Sequence, residues 1–174
     1  MNGVLSHSTY LEYLEPIFKN GIKKPRETGN SNWDWFFPTD RISFSCNPDL
    51  DLESENTYLS GWNNDINLVL DPKYISENKD EFKCYITKSE EVIDYANRQG
   101  MEVIDLEVPR FNFNEVVSFE NIPVEGIHSL FLDSRFNTIL SLETEEFQKI
   151  KSILPAHMGL YTKQTDDSFY RRIK

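Results

Sequence analysis

The sequence predicts an α+β fold, a mixed and mostly antiparallel sheet with flanking helices. Three observations carry this. Several short apolar runs have strand length: Val4–Ser6, Arg41–Cys46, Ile66–Leu70, Glu102–Val108, Val116–Phe119 and Ser129–Leu132. Three other segments repeat apolar residues at helical spacing. The two kinds interleave without the strict alternation of a doubly wound parallel sheet. The chain has 174 residues, 39% of them hydrophobic, with 12 Phe, 8 Tyr and 3 Trp. That is enough apolar material for one domain over 1–174 with a sizeable core.

Each element has a local cause. Val4–Ser6 leads into His7-Ser8-Thr9, and Thr9 with Glu12 has the spacing of a capping box. Leu11, Leu14, Ile17 and Phe18 then mark a helix that stops at Gly21. Pro16 conflicts with it and predicts a kink, or two short helices meeting at Glu15–Pro16. Residues 23–40 form a loop with Lys23, Lys24 and Arg26, followed by the aromatic run Trp33, Trp35, Phe36 and Phe37. In Arg41–Cys46, Ile42 and Phe44 alternate with Ser43 and Ser45 before Asn47-Pro48 ends the strand. Asp49–Asn64 is polar and expected as an exposed loop. Ile66–Leu70 is an apolar strand stopped by Asp71-Pro72.

Thr87 and Glu90 make a second capping box, with a helix to about Gln99 that turns Val92, Ile93 and Ala96 inward and stops at Gly100. Pro109 ends the strand from Glu102. Ile122-Pro123 opens a turn between the strands at Val116–Phe119 and Ser129–Leu132. Thr144 caps a helix over Glu145–Leu154, stopped by Pro155. The polar tail from Ala156 ends in Arg171, Arg172 and Lys174, which read as a frayed terminus.

The formal net charge of −11 argues against a generally basic nucleic-acid face. A local groove of Lys19, Lys23, Lys24 and Arg26 is still compatible with it. Cys46 and Cys84 are too isolated for a zinc or disulfide pattern. There is no signal-peptide pattern and no apolar stretch of transmembrane length. The expectation is a soluble, cytoplasmic protein without a metal.

Three ordered segments carry a resemblance. Leu5-Ser6-His7-Ser8-Thr9 with its helix resembles the opening of the ADP-ribosyltransferase superfamily. Arg41-Ile42-Ser43-Phe44-Ser45-Cys46-Asn47-Pro48 is similar to that family's serine-hydrophobic-serine strand. Asn114–Phe119 followed by Ile122-Pro123-Val124-Glu125-Gly126-Ile127 is similar to its third signature, a strand that begins with the catalytic glutamate. The matches span residues 4–132 and suggest small bacterial or phage-encoded members, including nucleic-acid-modifying toxins.

The resemblance implies a split mixed sheet and transfer of ADP-ribose from NAD to a macromolecular acceptor: RNA, DNA or protein. In that chemistry the ribose gains positive character as nicotinamide leaves, so the protein must grip the dinucleotide and place negative charge nearby. Glu115 and His7 are implied as catalytic. His7, Ser8, Thr9, Tyr10, Arg26, Ser43 and Ser45 are implied as contacts to NAD, with Tyr10, Trp33 or Trp35 able to stack on the nicotinamide ring. An antitoxin partner would fit the small size.

The chain also departs from the family. Phe113 stands two before Glu115, no central Tyr stands in the second segment, and His7 stands where one subclass has Arg. These departures motivate a second expectation, a catalytically inactive member that binds a partner or nucleotide. RNA 2′-phosphate transfer ranks last, because it needs more arginines than this chain offers.

Overall fold

The computed structural model describes residues 4–29, 40–47, 50–59, 66–86, 90–105, 114–133, 144–163 and 169–173, with backbone alone at 86, 105, 114 and 115. Its strands are β1 (Val4–Thr9), β2 (Ile42–Asn47), β3 (Asn56–Thr57), β4 (Ile66–Leu70), β5 (Phe82–Ile86), β6 (Glu102–Asp105), β7 (Asn114–Ser118), β8 (Ile127–Asp133), β9 (Gly159–Lys163) and β10 (Tyr170–Ile173). Its helices are α1 (Leu14–Asn20), α2 (Pro25–Thr28), α3 (Pro72–Glu77), α4 (Glu90–Gln99) and α5 (Glu145–Ile153). The α+β class and the mixed sheet are as expected.

The described strands are joined edge to edge in one sheet, in the order β3-β10-β9-β8-β4-β1-β2-β7-β5-β6. The expected split is therefore not found among them: each strand is hydrogen-bonded to the next without a break, and β1 pairs on both edges, with β2 and with β4. Two neighbouring pairs are parallel, β5 with β6 and β8 with β9. A parallel pair needs a crossover, and α4 and α5 lie in those two connections.

The sheet buries apolar residues on both faces. On one, Leu5, Phe44, Leu68, Val116 and Leu130 pack with Leu14 and Ile17 of α1, Ile75 of α3, Tyr95 of α4 and Ile150 of α5. On the other, Val4, Val69, Phe131, Tyr161 and Tyr170 pack with Leu50 and Leu59. Phe131 and Tyr161 stack with centroids 4.4 Å apart, and the Tyr161 hydroxyl donates to the Leu52 carbonyl at 2.8 Å. The segment expected as an exposed loop is therefore, in its described part, a cover for the second face. Leu50, Leu52 and Leu59 are the apolar residues that hold it there.

Several local expectations change. Thr9 is not a helix cap: β1 runs on to it because Thr9 pairs with Ile66 of β4, and the turn at Leu11–Tyr13 has no side-chain cap. Two short helical pieces do occur, but they meet at Tyr13–Leu14. Pro16 then falls in the first turn of α1, where N–H groups lack intrahelical acceptors in any case. Asp71-Pro72 ends β4 and also starts α3, with the Asp71 carboxylate accepting from the Lys73 N–H at 2.7 Å. No sequence signal points to β5, and β9, expected as part of the polar tail from Ala156, is a buried strand. Arg171 and Arg172 belong to β10, paired with β9, and are not a frayed end. Thr144 caps α5 as expected, accepting from the Phe147 N–H at 3.2 Å. Trp33, Trp35, Phe36, Phe37 and Thr87 lie outside the described residues.

Gly21 closes α1 at φ +79°, and its N–H donates to the Ile17 carbonyl at 2.7 Å. Ile22 and Ile122 then exchange backbone hydrogen bonds of 2.8 and 2.9 Å, tying the end of α1 to the turn before β8. A Cβ on Gly21 would collide with the Ile122 carbonyl oxygen. Gly29 has a similar φ of +73° but nothing within 4 Å of a Cβ. Gly29→Ala should therefore cost about 1 kcal/mol for the left-handed backbone alone, and Gly21→Ala at least about twice that. Urea denaturation of the two variants checks the difference.

Candidate functional site

A row of polar side chains crosses the central strands β4, β1 and β2. Alternation along β1 sends Leu5, His7 and Thr9 to the helix-covered face, and Ser6 and Ser8 to the other. On that second face Ser8 is opposite Asn67 of β4, and Ser6 is opposite Ser45 of β2. Ser43 precedes Ser45 by two residues on β2, so both serines share the face of Ser6 and Ser8.

Ser6, Asn47 and Asn67 are buried, each at 1% exposure or less. Polar groups survive burial when their hydrogen bonds are made; an unmade one costs about 1–3 kcal/mol. Here they satisfy one another. The Asn47 amide donates to Ser6 Oγ at 2.9 Å and to the Ser45 carbonyl at 3.3 Å. Ser8 Oγ donates to Asn67 Oδ1 at 2.7 Å. The result is a hydrogen-bonded network beside the half-buried Ser43 and Ser45. The next strand, β7, brings Glu115 into register opposite Ser45 on one side and Tyr85 of β5 on the other.

His7 lies on the opposite face from Ser8. Its Nδ1 is 3.0 Å from the Ser43 carbonyl oxygen, and its ring meets Phe44 edge-on at 5.8 Å. A carbonyl only accepts, so Nδ1 carries the proton and Nε2 of the neutral ring is an acceptor. Burial lowers the His7 pKa, and the bond to Ser43 opposes this only in part. His7 therefore touches the serine strand through its backbone, from beneath.

Thr9 and Tyr10 line a cleft of about 650 Å³ between the start of α1 and α5, on the helix-covered face. Arg26 is exposed on α2, with its N–H bonded to Asp40 Oδ1 at 2.8 Å. α2 is fastened to the turn after β7, where Asn121 accepts from the Lys24 N–H and donates to the Glu27 carboxylate. The structure thus unites Ser8, Ser43 and Ser45 on one face and sets Glu115 in register beside them. His7, Thr9, Tyr10 and Arg26 stand apart from that row. Sequence reasoning missed Asn47 and Asn67 as members. The available signal was Asn67 itself, the one polar residue in the otherwise apolar Ile66–Leu70.

Both cysteine thiols are pushed up by burial, Cys46 to about 12 and Cys84 to about 11, which keeps them unreactive. Among the described residues, no group of three or more His, Cys, Asp or Glu is placed to hold a metal, and no helix is long and apolar enough to cross a membrane.

The depressed pKa of His7 fixes the sign of a pH effect. The unfolded chain takes up a proton below about 6.5, the ordinary His value, while the folded His7 resists it. The stability due to neutral His7 is complete above that pH and falls as pH drops toward the lower folded value. Thermal melts from pH 7.5 to 5 should show a smaller loss in His7→Asn than in wild type; equal losses would refute the assignment.

No protein-family model matches the chain, and no curated protein matches it.

Proposed function

We propose that the chain transfers ADP-ribose from NAD to a macromolecular acceptor, an RNA, DNA or protein. One observation carries this reading. The three segments that carry the resemblance are far apart in sequence, yet they are the adjacent strands β1, β2 and β7, with Ser6, Ser45 and Glu115 aligned in one register row. Chance similarity in three short motifs gives no reason for them to adjoin.

The donor set suits the substrate. Ser8, Ser43 and Ser45 supply hydroxyls that can bond ribose hydroxyls, and the Asn47 and Asn67 bonds fix the strands that bear them. NAD brings a glycosidic bond whose leaving group, nicotinamide, departs neutral. Glu115 would hold the ribose hydroxyls, set negative charge beside the developing positive charge and take the acceptor's proton. His7 works as a positioning residue, because its Nδ1–H fixes the Ser43 peptide. Arg26, exposed on α2, is the proposed phosphate contact. Thr9 and Tyr10 belong to the cleft by α1 and α5, outside this row.

Nicotinamide release is the assay, with NAD and DNA, RNA or lysate protein as acceptors. Wild type should release nicotinamide in an acceptor-dependent way, and Glu115→Gln should be slower by about 100-fold or more. Equal rates in the two proteins would overturn the role of Glu115. Neither turnover nor calorimetric heat with NAD would favour an inactive, partner-binding member of the fold.

A further inference from the structure

The cleft between the start of α1 and α5 is distinct from the polar row and lies on the other side of the sheet. Leu14, Ile66 and Ile150 are buried beneath it, and Ile153 is half-buried at its wall. Among the described residues, Glu12, Glu15 and Glu146 line it and are exposed, against a single exposed cation, Lys149. Among the described residues none of these four is in an ion pair. Tyr10 also lines the cleft, 62% exposed, with its ring held edge-on by Tyr13 at 6.2 Å.

We propose that this cleft docks a basic amphipathic segment of a partner protein. An apolar floor calls for apolar side chains, and three carboxylates against one ammonium call for cations beside them. The face of Tyr10 offers a further cation contact. Nucleic acid is a poor occupant, because its phosphates would meet the glutamates. A second copy is also disfavoured, since each chain carries −11. The volume of about 650 Å³ suits a few anchoring side chains.

The test uses a labelled synthetic peptide with Leu at i, i+3, i+4 and i+7 and Lys elsewhere, followed by fluorescence anisotropy without NAD. Wild type should bind it, and the analogue with Glu for Lys should not bind. The variant Glu12→Gln/Glu15→Gln/Glu146→Gln should lose about tenfold in affinity. A control of equal charge, Glu55→Gln/Glu90→Gln/Glu125→Gln, should bind like wild type, and Ile153→Glu should weaken binding while its circular dichroism stays that of wild type. Equal losses in the two triple variants would mean attraction to net charge alone and would overturn the site. Displacement of the peptide by a simple alkylammonium ion at comparable concentration would overturn a peptide occupant. Binding is read here independently of turnover, so failure of the peptide test leaves the ADP-ribosyl transfer reading to its own assay.

Discussion

Strand β1 is hydrogen-bonded along both edges, and the central architecture depends on that constraint. Antiparallel pairing to β2 and β4 leaves it no freedom to rotate. Each residue from Val4 to Thr9 is therefore committed to one face, and consecutive residues to opposite faces. His7 goes to the helix side, against Phe44. Ser6 and Ser8 go to the other side, among the amides of Asn47 and Asn67. Two neighbours in the same short motif thus serve different sides of the sheet.

The fold was legible where one residue type decides a local structure. Thr144 stands before an apolar helical pattern and caps α5. Ile66–Leu70 is apolar because β4 is buried along its whole length. It was less legible where tertiary pairing overrules local preference. Thr9 has the chemistry of a cap and becomes a strand residue, because Ile66 is there to pair with it. The polar segment around Leu50–Leu59 looks solvated until the opposite wall, Phe131 and Tyr161, is present. Arg171 and Arg172 read as a tail until β9 offers an edge.

The candidate site was legible in its strands more than in its side chains. The serine alternation in β2 did indicate a polar face, and Ser8 shares it. Which face His7 takes is a matter of strand parity, and motif spacing does not report it. Asn47 has the local signature of a strand terminator, yet it is the donor that joins β2 to β1. Its role depends on Ser6, 41 residues away in the chain, a separation that local pattern does not span.

The bond from Ser8 to Asn67 has a consequence for alignment. Every other residue of β4 is apolar, so most of its length would be content on either side of the sheet. A slip of β4 by one residue against β1 would exchange its two faces. Asn67 would then enter the aliphatic layer with Leu14 and Ile150, while Ser8 faced leucine. Buried Asn67 would be stranded at about 1–3 kcal/mol, and half-buried Ser8 would lose its partner. The pair therefore acts as a register pin: it selects one alignment of a strand whose greasy sequence alone would tolerate two.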